Sequence, residues 1–300
     1  MTARLTSAAI IISLLVTAVA FDLKWGATDS IGFMGITLVP LVLVITVLAA
    51  YELASMIASR NPSTPLLIVV LGSVVTVGCS CLPAIWKDYP ADCTVGKLGW
   101  NSLGLALAAC IAIVFEMLRF KEADRVIANL AYSIFAITYT GFLMSFLPAL
   151  RFMGSNEVGM TALMSMIVVV KASDAGAFFT GKMLGRRKLA PKMSPGKSVE
   201  GAIGAVLTGC GASVFFFAYI APLIHQDLQP PTTVASVLFG LVIALTGMIG
   251  DLFESIIKRD FKAKDSSSWL PGLGGVLDIF DSILAAAPAA YVLWVSGLFN

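Results

Sequence analysis

Long apolar runs broken by short polar gaps set the pattern of this chain. Nine windows lie near 5–21, 31–51, 65–86, 101–118, 127–149, 159–182, 199–224, 233–257 and 275–298. Each holds roughly the 20 apolar residues that a membrane-spanning helix needs. In hydrocarbon every backbone N–H and C=O must be satisfied inside the protein, so windows of this length predict helices rather than sheets. The longest polar gap is about 16 residues, which leaves no room for a soluble domain. The expected fold is therefore all-α, a polytopic integral membrane protein with about nine transmembrane helices.

Charge divides the pattern in two. Residues 1–150 make five scaffold helices with their acids mostly in loops, and residues 151–300 hold the intramembrane charges and both long polar loops. The two parts are expected to form one functional unit. No fixed-period repeat or low-complexity tract is present.

Composition agrees with the pattern. The 300 residues are 58% hydrophobic and 13% charged, with mean hydropathy +0.91, against about 25% charge in a soluble domain. The net charge of +2 hides an asymmetry. With the N-terminus in the cytoplasm, the inner segments hold Arg4, Arg60, Arg119, Lys121, Arg125, Lys182, Arg186, Arg187, Lys188, Lys192, Lys197, Lys258, Arg259, Lys262 and Lys264. The outer loops hold Lys24, Lys87, Lys97 and Arg151, and Lys171 alone falls within a span. Basic residues favour the cytoplasmic side, so this topology is chosen. It places the N-terminus and both long loops of the second part on the inner face of the cell (inner) membrane. The basic groups there meet cytoplasmic anions or lipid headgroups, and no nucleic-acid partner is expected.

The first window also has features of a signal peptide, with Ala18-Val-Ala20 before Phe21. A weak basic start favours an uncleaved helix. Cys79, Cys81 and Cys93 lie near one loop, where small apolar packing is preferred over a disulfide, and zinc is not favoured without a nearby histidine.

A charged group at bilayer depth costs roughly 3 kcal/mol and usually faces a cavity or a partner. Asp251, Glu254, Ser255 and Lys258 fall at i, i+3, i+4 and i+7, one stripe of a helix. Asp278, Asp281 and Ser282 repeat that spacing in the last window. Between them run Lys258, Arg259, Lys262, Lys264 and Asp265, then Pro271-Gly-Leu273-Gly274-Gly275. Two acidic stripes beside a basic loop suit Mg²⁺ shared with substrate phosphates. Lys171 and Asp174, three apart, read either as an internal ion pair or as part of the same site. Upstream, Gly196-Lys197-Ser198 looks like the tail of a phosphate-binding P-loop, but Pro191 occupies the position of its first glycine. A Walker A site is rejected; a phosphate cradle of backbone N–H groups and a following helix N-terminus is retained.

These residues closely resemble the phosphatidate cytidylyltransferases, or CDP-diacylglycerol synthases. The family signature appears as Ser255-Ile-Ile-Lys258-Arg259, Lys264-Asp265, Pro271-Gly-Leu273-Gly274-Gly275 and Asp278-Ile279-Phe-Asp281 with matching spacing. Ser173-Asp174-Ala-Gly-Ala-Phe and Ser194-Pro-Gly-Lys197-Ser198-Val-Glu200-Gly match its upstream part. Leu273 replaces the family's His and Ile279 its Arg, while the carboxylates are kept. The resemblance implies transfer of a cytidylyl group from CTP to phosphatidate, giving CDP-diacylglycerol and pyrophosphate. It further implies Mg²⁺ on Asp251, Asp278 and Asp281, with Asp174, Ser255, Lys258 and Asp281 in catalytic roles. Lys197, Ser198, Arg259, Lys264, Asp265, Gly274 and Gly275 would bind substrate. Phosphatidate would enter from the inner leaflet, and a homodimer is left open.

Two other readings compete with this one. A CTP-dependent isoprenoid-alcohol kinase, acting on a polyprenol or phytol, would need a general base for its alcohol. A cation-coupled transporter would be expected to carry acids in repeated halves, and here they are confined to one.

Overall fold

A computed structural model describes residues 2–25, 34–86, 89–90, 92–120, 125–226, 229–267, 269–270 and 274–299, with side chains of the first helix from 13 to 24. The elements are α1 (Thr2–Trp25), α2 (Leu38–Ala58), α3 (Leu66–Ile85), α4 (Gly96–Leu118), α5 (Val126–Ile137) and α6 (Phe146–Arg151), then α7 (Asn156–Leu184). A hairpin of β1 (Lys188–Ala190) and β2 (Ser194–Ser198) precedes α8 (Val199–Phe215), α9 (Ala221–Ile224), α10 (Thr233–Asp260) and α11 (Leu277–Val295). Wider π turns at Thr138–Phe142 and Phe216–Ile220 join α5 towards α6 and α8 to α9. Among the described residues, eight helical segments are long and apolar enough to cross a membrane. The chain is a multi-pass, all-α membrane protein.

The expected windows hold with shifted ends. The first coincides with α1. The second begins at Leu38 rather than near 31, and 26–33 lie outside the described residues. The Pro191 and Gly196 loop forms an antiparallel hairpin, with Lys188 opposite Ser198 and Ala190 opposite Ser194. Hydropathy carries no signal for so short a ladder.

The chain forms two compact units: 1–152 with 261–279, and 153–260 with 280–300. In the first, small residues bring α3 to its neighbours. A Cβ on Gly104 would lie 2.9 Å from the Thr76 Cα, and one on Gly141 would lie 2.7 Å from the Ser73 Cα. Ser73 and Thr140 hydroxyls meet at 3.0 Å across that contact, the small-residue packing of membrane helices. Arg151 was expected as an outer-loop charge. It instead ends α6, almost wholly buried, with Nη2 2.6 Å and Nε 2.7 Å from Asp22 Oδ2. Thr37 N donates to Asp22 Oδ1 at 3.2 Å, and the Thr37 hydroxyl lies 2.8 Å from Ala18 O and 3.2 Å from that same Asp22 oxygen. A guanidinium is tolerated there because two of its nitrogens meet one carboxylate oxygen in a charge-assisted contact.

In the second unit, α7 and α8 pack at Gly176 against Thr208 and at Gly204 against Thr180, with no space for a side chain at either glycine. Ser213 Oγ donates to Ser236 O at 2.6 Å, tying α8 to α10. An aromatic cluster of Phe217, Phe239, Trp294 and Phe299 closes the end away from Asp251.

Candidate active site

The hairpin delivers its last residue straight into a helix start. Ser198 is the N-cap of α8, its Oγ accepting from Gly201 N at 3.1 Å. Glu200 fastens the hairpin base by accepting from Arg186 N at 3.0 Å and Arg187 N at 3.2 Å. Lys197, one residue before the cap, places Nζ 2.7 Å from Asp251 Oδ2 on α10. Its geometry is that of a charge contact rather than an aligned hydrogen bond. A cavity of about 330 Å³ opens here, lined by Asp174, Lys182, Gly196, Lys197, Ser198 and Asp251 among others. Small-molecule sites occupy roughly 300–1,000 Å³.

Helical spacing puts Asp251 and Glu254 on one stripe of α10, with Asp281 of α11 beside them. One carboxylate oxygen each from Asp251, Glu254 and Asp281 lie within 4.8 Å of one another. Asp281 Oδ1 accepts from Ser282 N at 2.5 Å and Ser282 Oγ at 3.1 Å. Lys258 pairs with Glu254 one turn below, and Lys171 Nζ stands 3.1 Å from Asp174 Oδ2. The ion pair of Lys171 and Asp174 forms, and Asp174 also lines the cavity. Three hard oxygens this close form a donor set that fits a divalent cation.

Asp278, which the sequence put among the metal ligands, is held by the loop before α11. Its Oδ2 accepts from Ser266 N at 2.9 Å, Ser266 Oγ at 2.7 Å and Gly275 N at 2.7 Å. Gly274 takes φ +89°, and a Cβ there would lie 2.6 Å from that same oxygen. Arg259, Lys264 and Asp265 are exposed, Ser255 and Ile279 half-buried, and Gly275 buried. Leu273 lies outside the described residues.

Sequence reasoning missed Glu52. This acid sits inside α2, 2% exposed. It accepts from Ser266 Oγ, Ser267 Oγ, Val276 N and Leu277 N at 2.6–2.9 Å. A lone carboxylate in an apolar run was its only signal.

Residues 2–296 match the Cytidylyltransferase family. The chain belongs to that family. Among curated members, it is 31% identical over 245 residues to the phosphatidate cytidylyltransferase of Bacillus subtilis, covering 82% of this chain and 84% of that one. The phosphatidate cytidylyltransferase of Thermotoga maritima is 33% identical over 63% of this chain and 68% of its own. That of Haemophilus influenzae reaches 41%, over 43% of this chain and 44% of its own. Lys197 and Lys258 pair with Asp251 and Glu254 of the acidic cluster, and Lys171 pairs with Asp174. The single histidine, His225, lies instead near the start of α7, with Nε2 3.7 Å from Glu157 Oε2. Seventeen residues of α7 separate Glu157 from Asp174, about 25 Å at helical rise.

Proposed function

We propose that this cytidylyltransferase makes CDP-diacylglycerol, taking CTP and phosphatidate and releasing pyrophosphate. The observation that carries it is the convergence of Asp251, Glu254 and Asp281 beside a cavity whose wall carries Lys197, in a chain with the family signature. An anionic phosphate oxygen of phosphatidate attacks the α-phosphorus of CTP. The bond from that phosphorus to the bridging oxygen of the β-phosphate breaks, and pyrophosphate leaves. The nucleophile is already ionised, so no general base is required, in keeping with a lone histidine far from Asp174.

Positioning and neutralisation of charge then carry the rate. Lys197 and Lys258, with Arg259 and Lys264 from the loop, hold phosphate oxygens. The α8 N-terminus at Ser198 faces the nucleotide, and Asp174 and Ser255 orient it. Asp251, Glu254 and Asp281 would hold Mg²⁺, and Asp278, one turn before Asp281, is retained from the family signature as a further ligand. When bound, the ion supplies positive charge that offsets the triphosphate. The site would face the cytoplasm at the inner membrane, a reading supported by the excess of Lys and Arg in the segments around it, and phosphatidate would enter from the inner leaflet.

The test uses purified protein in lipid, with CTP labelled at the α- or the γ-phosphate, and phosphatidate or an isoprenoid alcohol as acceptor. Label from the α-position entering lipid with phosphatidate is expected. Label from the γ-position entering the alcohol would establish the kinase instead.

A further inference from the structure

The loop between α10 and α11 is held by a side chain more than 200 positions earlier in sequence. Glu52 presents two carboxylate oxygens, and each takes two donors. Oε1 accepts from Ser267 Oγ at 2.6 Å and Val276 N at 2.9 Å. Oε2 accepts from Ser266 Oγ at 2.9 Å and Leu277 N at 2.8 Å. Val276 immediately precedes α11 and Leu277 begins it, and the first N–H groups of a helix have no partner within it and favour a negative charge. Caps are ordinarily supplied by the neighbouring chain; this one comes from α2. The adjacent residue strengthens the tie, since the Tyr51 ring stacks on Trp269 at 5.5 Å and 20°.

Glu52 also explains one glycine of the signature. A Cβ on Gly275 would lie 2.5 and 2.6 Å from the two Glu52 oxygens, and closer still to Ser266 Oγ. Any side chain at 275 would displace the anchor. Ser266 carries the connection onward. Its hydroxyl has one hydrogen and stands between Glu52 Oε2 and Asp278 Oδ2, at 2.9 and 2.7 Å. Moving Glu52 therefore changes what Ser266 offers to Asp278.

We infer that Glu52 is a positioning residue of the active centre, fixing the loop of Lys264, Asp265, Gly274 and Gly275 and, through Ser266, the carboxylate of Asp278. Its place in catalysis rests on the cytidylyl-transfer reading; its role as the loop's anchor does not. Val276 N–H, Leu277 N–H and Ser267 O–H need an acceptor, the Ser266 hydrogen being shared with Asp278, and an amide offers one oxygen and an NH₂ that cannot accept. Glu52→Gln thus keeps the shape and loses half the anchor.

Hydrogen exchange read by mass spectrometry, alongside CTP turnover with phosphatidate at graded Mg²⁺, tests this on the full chain in lipid. In Glu52→Gln, faster exchange is expected in peptides covering 264–277, with the other helices unchanged. The kcat per folded molecule should fall about 10–100-fold, the usual effect of losing a group that orients a ligand. The half-saturating Mg²⁺ should rise while KM for CTP changes little. Gly275→Ala should reproduce the defect, and the double variant should cost no more than the worse single, since both remove one contact. Ser267→Ala, which removes one donor and leaves the carboxylate, should show the same pattern more weakly and serves where Glu52→Gln fails to accumulate.

Wild-type kcat and Mg²⁺ dependence in the folded fraction of Glu52→Gln would overturn the inference, as would faster exchange spread over every helix. If the wild-type protein transfers no cytidylyl group, the functional reading fails, while exchange at 264–277 still decides whether Glu52 anchors the loop.

Discussion

Gly250 and Asp281 meet where α10 crosses α11: a Cβ on Gly250 would lie 2.5 Å from the Asp281 carbonyl oxygen and 2.8 Å from the Ala285 Cβ. This close approach sets Asp251, the next residue, beside the Asp281 carboxylate. Gly250→Val should push the two helices apart. Overpacking of this kind costs about 1–3 kcal/mol, seen as a lower melting temperature. Because the acids separate, the half-saturating Mg²⁺ for CTP turnover should rise as well. A stable variant with unchanged Mg²⁺ dependence would show that the crossing does not set the site.

Lys197 reaches Asp251 from the hairpin end, where it would meet the triphosphate. Lys197→Met keeps the length and removes the charge. Loss of one preorganised contact to developing charge lowers kcat by about 10²–10³-fold. Steady-state rates with CTP and phosphatidate measure it, and the fold should be intact by circular dichroism.

Asp22 and Arg151 form a buried pair remote in sequence from every signature residue. Removing one partner strands the other charge, a loss of about 3–5 kcal/mol. Asp22→Asn and Arg151→Met should each lower thermal stability strongly, and the double variant should recover much of it. Activity per folded molecule should stay near wild type, which separates this scaffold pair from the acids of the proposed site.

Among the free cysteines, Cys93 lies outside the spans. The Tyr89 hydroxyl beside it, with backbone N–H groups of Val95 and Gly96, holds its thiol below the ordinary value, against the opposing charge of Asp92. Thiolate is the reactive form, so a lowered pKa means more reaction at a given pH. Alkylation of Cys93 should begin at lower pH than that of an ordinary exposed cysteine. In Tyr89→Phe its profile should move to higher pH.

The spans were legible because hydrocarbon permits so few backbone solutions, and Asp251, Glu254 and Lys258 were legible because a helix repeats every 3.6 residues. What crosses between segments was not. Arg151 looked like a loop charge because its partner Asp22 lies 129 residues away. The hairpin escaped because a short ladder among Pro, Gly and Lys leaves no hydropathy pattern. Glu52 stayed hidden for the same reason as Arg151: its donors lie more than 200 residues on, and one acid in an apolar helix names no partner. Asp278 was read from its helical stripe with Asp281 and from the signature, and its grip by Ser266 and Gly275 became visible only with the loop in place.

Cation binding by the carboxylates gathered at α10 and α11 is what the proposed cytidylyl transfer depends on. It is tested most directly by measuring that rate against Mg²⁺ for the wild type and Asp281→Asn. The expected result is a Mg²⁺-dependent transfer of α-label to phosphatidate that drops at least about 100-fold in the variant, with the folded fraction retained. Equal rates and equal Mg²⁺ dependence in the two proteins would contradict it.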